Sequence, residues 1–176
     1  MSRKAAVVIG IFRAAPHGII FVERAEHLRD HPGQIGLPGG SVHARDADLE
    51  QTALRELHEE VGVESSRVTV VARLPAIRQR SNGFEVTPFV AVIEAGEMRI
   101  DADETAGVFV VPLATVLNEG LREEDVEYRG VRTPSLVLDF EQRRIWGLTA
   151  RILESFIEEW RTGGLRACVS SYLWPE

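Results

Sequence analysis

The apolar residues at the start of this chain fall into two short β-branched runs, residues 5–12 and 18–22. The turn-prone stretch Ala15-Pro16-His17-Gly18 lies between them, so the pattern predicts two strands joined as a hairpin. From 27 to 41 no period is present and Gly, Pro, His and Arg accumulate, which marks a structured loop of the length that usually carries function. Residues 48–61 switch to a helical period. Asp48 stands as N-cap with Gln51 three residues on, Gly62 follows as C-cap, and Leu54, Leu57 and Val61 form an apolar stripe. Strands are expected at 67–74 and 86–93, with Pro88 in the second marking an edge or a bulge. A third is expected at 96–100. Residues 108–111 form another strand, Pro112 opens a short helix ending at Asn118, and 126–140 reads as a hairpin. Leu148, Ile152, Leu153, Phe156 and Trp160 then recur at helical spacing, predicting a second main helix over 145–160. The last twenty residues, Trp174 among them, carry no pattern that places them. Strands mixed with two main helices predict an α/β class.

Composition narrows the function. A chain of 176 residues, 44% hydrophobic and 27% charged, is expected to form one domain over 1–176. It has no apolar run near the roughly eighteen residues of a membrane span, and its N-terminus lacks a signal-peptide cleavage pattern, so a cytoplasmic protein with no membrane partner is expected. The single Cys168 excludes an intrachain disulfide and a cysteine-rich zinc site. A net charge of −7 argues against a nucleic-acid partner. An acidic protein that binds a phosphate ester must neutralise it locally, with a cation or a few arginines.

Candidate chemistry sits on the first helix. With Glu56 as origin and about 100° per residue, Glu59 and Glu60 fall near 300° and 40°, so three carboxylates share a face separate from the apolar stripe. Like charges at i, i+3 and i, i+4 repel, and Arg55 is placed to relieve only Glu59. A hard divalent ion such as Mg²⁺ or Mn²⁺ relieves all three. Pro38-Gly39-Gly40 lies just before this helix, where a backbone carbonyl can complete a metal shell and amides can meet a phosphate.

The run GGSVHARDADLEQTALRELHEEVGV, residues 39–63, resembles the Nudix box. Its second half matches at Arg55, Glu56, Leu57, Glu59, Glu60, Gly62 and Val63. Its first half departs: one extra residue separates Gly40 from Arg55, and the position of the first glutamate holds Ala47, leaving Asp46 or Asp48 as substitute. A lengthened box is similar to the coenzyme A diphosphatase branch of the Nudix hydrolases. The upstream VERAEHLRDHPGQIGLPGG, with Arg24, Leu28-Arg29, His31 and Gly33-Gln34, resembles that branch's extension. So do the later segments RLPAIRQRSNGFEVTPFVA, DETAGVFVVPL and RIWGLTARIL, and the likeness spans roughly residues 5–155.

The resemblance implies a Nudix-type α/β/α sandwich, with a mixed β-sheet between helices, and a metal-dependent diphosphatase. Glu56 and Glu60 would be primary metal ligands, Glu59 would serve a second ion or act through water, the Gly39 carbonyl would lie nearby, and Arg55 would orient a carboxylate. The metal would offset the diphosphate charge and activate a water that attacks phosphorus. Its proton would pass to Glu59 or Glu104. Arg24, Arg29, Arg78, Arg80 and the Gly40 amide are the expected substrate contacts. The expected substrate is coenzyme A or an acyl derivative, cleaved to 3′,5′-ADP and phosphopantetheine. Another nucleoside diphosphate derivative, such as ADP-ribose or a damaged nucleotide, and a non-catalytic nucleotide-sensing module are the competing readings. Oligomeric state is left open, a homodimer included.

Overall fold

In the computed structural model, residues 3–28, 31–79 and 83–174 are described. The two N-terminal runs form β1 (Lys4–Phe12) and β2 (Gly18–Arg24), antiparallel only at their shared turn, through Ile11↔Ile19 and Phe12↔Gly18. Beyond that the two strands splay. The gap beside β1 is taken by β3 (Ile35–Gly36), which pairs with β2, and β4 (Gly39–Ser41), which pairs with residues 5–7 of β1. Pro38 joins them and accepts a hydrogen bond from the Val8 amide at 2.8 Å. The expected loop of 27–41 therefore ends in two short strands.

The helix α1 (Leu49–Val61) keeps its predicted ends: Asp48 accepts a hydrogen bond from the Gln51 amide at 2.8 Å, and Gly62 closes the helix at φ 69°. Such a left-handed stop favours glycine, and at this site a Cβ would also press on Arg99 at 2.9 Å. Next come β5 (Val68–Arg73), β6 (Ile77–Arg78) and β7 (Glu85–Ile93). β7 runs parallel to β1 over its whole length, while β5 and β6 pair antiparallel with its other edge. β8 (Thr105–Pro112) pairs with β2 and completes an eight-stranded mixed sheet among the described residues.

Pro88 thus lies in an interior strand, not at an edge. Its carbonyl accepts from the Leu74 amide at 2.9 Å, so its missing N–H faces the same side, where β5 ends and β6 has not begun. The bulge is on the partner strand, between Val70 and Ala72. The strand expected at 96–100 is absent. The Arg99 amide bonds the Val61 carbonyl at 2.9 Å, so this stretch serves the open carbonyls at the end of α1.

Pro112 is followed by α2 (Leu113–Asn118). The predicted hairpin is β9 (Arg122–Tyr128) and β10 (Val131–Phe140), and β11 (Arg143–Trp146) makes it a separate three-stranded sheet. Ile145 and Trp146 belong to β11. The second main helix therefore begins later than expected, as α3 (Gly147–Thr162), and the unplaced tail forms α4 (Gly164–Leu173) after a left-handed Gly163.

Side chains alternate across the sheet. Ala6, Val8, Ile20, Val22, Phe89 and Ala91 face Ala53, Leu57 and Val61 of α1. Ile9, Ile11, Phe21, Val90 and Val92 face Ile152, Leu153 and Phe156 of α3, with Leu165 and Val169 of α4. Helices on both faces of a mixed sheet are the expected α/β/α sandwich. No helix among the described residues is long and apolar enough to cross a membrane.

Phe156 is fully buried between α3 and the sheet, whereas Val131, at the tip of the second sheet, is 62% exposed. Phe156→Ala is expected to cost about 3–5 kcal/mol of unfolding free energy, and Val131→Ala to change it by less than about 0.5 kcal/mol, as read by urea denaturation.

Candidate active site

Burial of one face of α1 carries its carboxylates into the splay between β1 and β2. Ala53, Leu57 and Val61 are fully buried, while Leu54 is only partly so. The helix is therefore turned further than the Leu54-Leu57-Val61 stripe implies. Glu60 goes in with that face and is only 5% exposed; Glu56 is largely covered, and Glu59 points outward. The three glutamates do not share one solvated face.

Glu60 Oε2 accepts the Gly39 amide at 3.0 Å. Gly39 needs to be glycine because a Cβ would strike the β1 backbone at Ala6 and Val7. At Gly40 a Cβ would lie 2.5 Å from the Glu56 carboxylate, so the Gly-Gly pair admits both α1 carboxylates against β4.

Arg55 ties these pieces together. Its Nε and Nη2 grip Asp46 in a bidentate pair at 3.0 and 3.1 Å, and Nη2 also donates to the Ser41 carbonyl at 3.1 Å. Its Nη1 donates to Glu56 at 2.8 Å and to Glu59 at 2.7 Å. Asp46 is further held by the His43 amide at 2.9 Å and the Thr52 hydroxyl at 2.9 Å. The choice left open in the lengthened box is thereby resolved: Asp46 meets Arg55, and Asp48 caps the helix. Arg45, which the sequence pattern did not single out, reaches Glu59 at 3.0 Å.

The charges differ sharply across this small region. Hydrogen bonds from Arg55, then from the His43 amide, hold the Asp46 carboxyl well below the usual carboxylate range. The bond to Asp46 in turn raises the Arg55 guanidinium. Burial pushes Glu56 up, against the pull of Arg55. Burial pushes Glu60 up to about 7, and the Gly39 N–H only partly offsets it. The charge of Glu104 raises both glutamates further, and that of Arg24 lowers Glu60.

The surrounding loops explain those two effects. The Ala25 amide donates to the Glu104 carbonyl at 3.1 Å, and His27 contacts the Asp103 carbonyl at 2.9 Å, so the 101–105 turn is fastened beside Arg24. His31 bonds Gln34 at 2.8 Å and stacks near Tyr128, consistent with a role in shaping its loop. Arg78 stands apart on β6, beyond β1 and β7. Arg29 and Arg80 lie outside the described residues.

Among the described residues no three His, Cys, Asp or Glu side chains converge as a ready metal-ligand set, because Glu56 and Glu59 turn to Arg55. The donors nevertheless fit a hard divalent cation. Two desolvated carboxylates, Glu56 and Glu60, lie against a glycine backbone, the charge of Glu56 raising the proton affinity of Glu60, and such a pair gains from positive charge.

The NUDIX domain profile matches residues 1–130. A protein of Salmonella newport described as an uncharacterized Nudix hydrolase NudL is 40% identical over 153 residues, covering 86% of this chain and 79% of that one. The same figures hold for its counterpart in Salmonella agona. The fold is similar to the Nudix domain of Shewanella oneidensis NrtR, solved with ADP ribose, at TM-score 0.61, 19% identity and coverage of 91% and 89%. It is also similar to a MutT Nudix hydrolase of Burkholderia pseudomallei, at TM-score 0.55, 20% identity and coverage of 88% and 98%. Nudix hydrolases generally use divalent metal ions, and the α1 carboxylates lie within the matched segment. With its box intact from Arg55 to Val63, this chain belongs to the Nudix family and is a Nudix diphosphatase.

Proposed function

We propose that the protein hydrolyses the diphosphate of coenzyme A or acyl-coenzyme A, giving 3′,5′-ADP and (acyl-)4′-phosphopantetheine, as a single cytoplasmic domain over residues 1–176. The observation that carries the reading is the box lengthened by one residue, which resembles that of the coenzyme A branch and here closes through Asp46 on Arg55. The segments at 22–40 and 73–91 that resemble that branch also supply Arg24 and Arg78.

Glu56, Glu60 and the Gly39 carbonyl are the proposed holders of Mg²⁺ or Mn²⁺, with Glu59 beside them. When bound, the cation offsets diphosphate charge and lowers the pKa of a water. The chain's own residues do the rest. Arg55 aims Glu56 and Glu59, with its other donors anchored on Asp46 and Ser41. Arg24, whose charge is felt at Glu60, neutralises a phosphate, whereas the Gly40 amide is turned to β1 by its pairing with Ala6. Glu104 is the favoured proton acceptor. It is exposed, its charge is felt at both buried glutamates, and it does not share the Arg55 contacts that occupy Glu59. ADP-ribose, the ligand of the NrtR domain, carries the same diphosphate and is the natural comparison substrate.

With Mg²⁺ or Mn²⁺, coenzyme A is expected to be cleaved with kcat/KM at least about tenfold above ADP-ribose and nucleoside triphosphates, measured by phosphopantetheine release. Glu60→Gln is expected to lower kcat by roughly 10²–10⁴. Unchanged turnover in that variant would remove Glu60 from the metal site.

A pH test isolates Glu60. Its carboxyl is raised to about 7 from 4.5, so the folded, metal-free protein binds a proton that the unfolded chain releases over this interval. Stability of the metal-free protein is thus expected to fall as pH rises from about 4.5 to 7, by up to about 3 kcal/mol. Glu60→Gln should flatten the profile in that window, read by urea denaturation in chelator. A wild-type profile that rises across the same window would overturn the assignment.

A further inference from the structure

We propose that the outer edge of β8 is a dimerisation surface, on which a second copy of this chain pairs its own β8 antiparallel about Phe109. The inference goes beyond the substrate reading and does not depend on it. β8 pairs with β2 and with no other strand among the described residues, so it closes one side of the main sheet. The Leu113 amide donates to the His17 carbonyl at 2.8 Å, which fixes the phase of the ladder. Val111, Phe109 and Gly107 then turn their polar backbone groups to β2, whereas Val108 and Val110 turn theirs away. Pro112, which has no N–H to offer, falls in the outward phase as well. Among the described residues no hydrogen bond reaches Val108 or Val110 from that outer side.

An unpaired strand edge invites another strand, and proteins guard it with charge, proline, bulges or brevity. The other edges described here are guarded. β5 carries the bulge between Val70 and Ala72 and ends in Arg73, while β3, β4 and β6 are two or three residues long. In the second sheet, β9 carries Arg122, Glu123, Glu124 and Asp125, and β11 carries Arg143 and Arg144. β8 reads TAGVFVVP, uncharged from end to end, with its proline at the last position. Such an edge suits an identical partner in particular, since two copies of a chain of net charge −7 repel except where the surfaces that meet carry no net charge. A two-fold axis through Phe109 sets Val108 of one copy opposite Val110 of the other, and each such pair exchanges both N–H···O bonds. An axis through Val110 would instead set Pro112 opposite Val108 and leave that pair short of a donor. With the axis at Phe109, this residue meets the partner's Phe109 at a closely spaced position without backbone bonds, where aromatic pairs pack well. Val108, Phe109 and Val110 are each partly buried in the single chain, and the pairing covers what remains. Beside them Arg143 lies 4.4 Å from the Phe109 ring centre and bonds Glu141 at 2.9 Å, so this flank meets its copy with both signs of charge.

The test is sedimentation velocity of the full chain over roughly 1–100 μM, for the wild type, Val110→Pro, Val108→Lys and the control Val131→Lys at the tip of the second sheet. The wild type is expected to pass from monomer to dimer with a Kd of roughly 10 μM, in keeping with a small interface. Proline at 110 removes an outward donor and spares the bonds to β2, which Phe109 and Val111 make. Lysine at 108 supplies the guard that the strand lacks. Both variants should weaken the dimer at least about tenfold while still unfolding cooperatively in urea, and the control should dimerise as the wild type does. The register is read separately in Cys168→Ser protein, which removes the exposed native thiol. There Phe109→Cys should form a disulfide-linked dimer under an added oxidant well ahead of Val131→Cys. Should Val110→Pro fail to fold, Val108→Lys and the cysteine variants decide. A wild type that stays monomeric throughout, a dimer that survives in either folded β8 variant, or cross-linking no faster at 109 than at 131 would overturn the proposal.

Discussion

A single guanidinium organises the candidate site. Arg55 holds Asp46, the Ser41 carbonyl, Glu56 and Glu59 at once, so it joins the loop before α1, the end of β4 and two turns of the helix. Its planar fork makes this feasible, because a lysine ammonium lacks the paired parallel donors that grip Asp46. The contact also explains why the box tolerates a changed first half. What the geometry needs is a carboxylate that can reach Arg55 from a loop, and a residue one place before the usual position does so once the loop is one residue longer. The His43 amide and the Thr52 hydroxyl satisfy the remaining acceptor positions of Asp46, which therefore stays ionised where it is almost fully covered.

The splay of β1 and β2 supplies the other half of the arrangement. Two strands that remained paired would leave no room for β3, Pro38 and β4 beside β1. Because they separate after Ile11↔Ile19, β4 can lie under α1 and present backbone in place of side chains. Glycine at 39 and 40 follows from that approach, one on account of the β1 backbone and the other on account of the Glu56 carboxylate. The desolvation that raises Glu56 and Glu60 is thus a consequence of packing. Leu57 and Val61 pull the helix onto the sheet, and the glutamates travel with them.

Much of this was legible in the residues. The ends of α1 followed from Asp48, Gln51 and Gly62, since a cap is a local interaction that sequence spacing captures. The box located the carboxylates. What periodicity missed depended on partners distant in sequence. Leu54 and Leu57 defined a stripe, but the depth of β4 decided the rotation that buries Glu60. Pro88 signalled an edge by its missing donor, yet an interior strand accommodates it where the neighbouring strand breaks between β5 and β6. Residues 96–100 were apolar enough for a strand, but the open carbonyls of α1 claimed their amides. Ile145 and Trp146 fitted the helical pattern of α3 and were taken instead by pairing with Leu138 and Val137 of β10.

The same distinction governs the arginines. An acidic chain must hold its cations where they serve, and most side chains of this type here are consumed locally: Arg122 and Arg144 stitch the second sheet together, and Arg67 bonds the Glu94 and Glu97 carbonyls. Such contacts at an exposed surface contribute little stability individually, yet they leave the guanidinium unavailable to a ligand. Position along the chain cannot separate the two uses, because Arg78 on a strand and Arg151 on a helix are seventy-three residues apart and meet only through tertiary packing. An anionic substrate approaching this protein meets net repulsion over most of its surface. Its binding therefore has to be concentrated where a bound cation or a guanidinium faces it, and Arg24, whose charge is felt at Glu60, stands beside the α1 carboxylates.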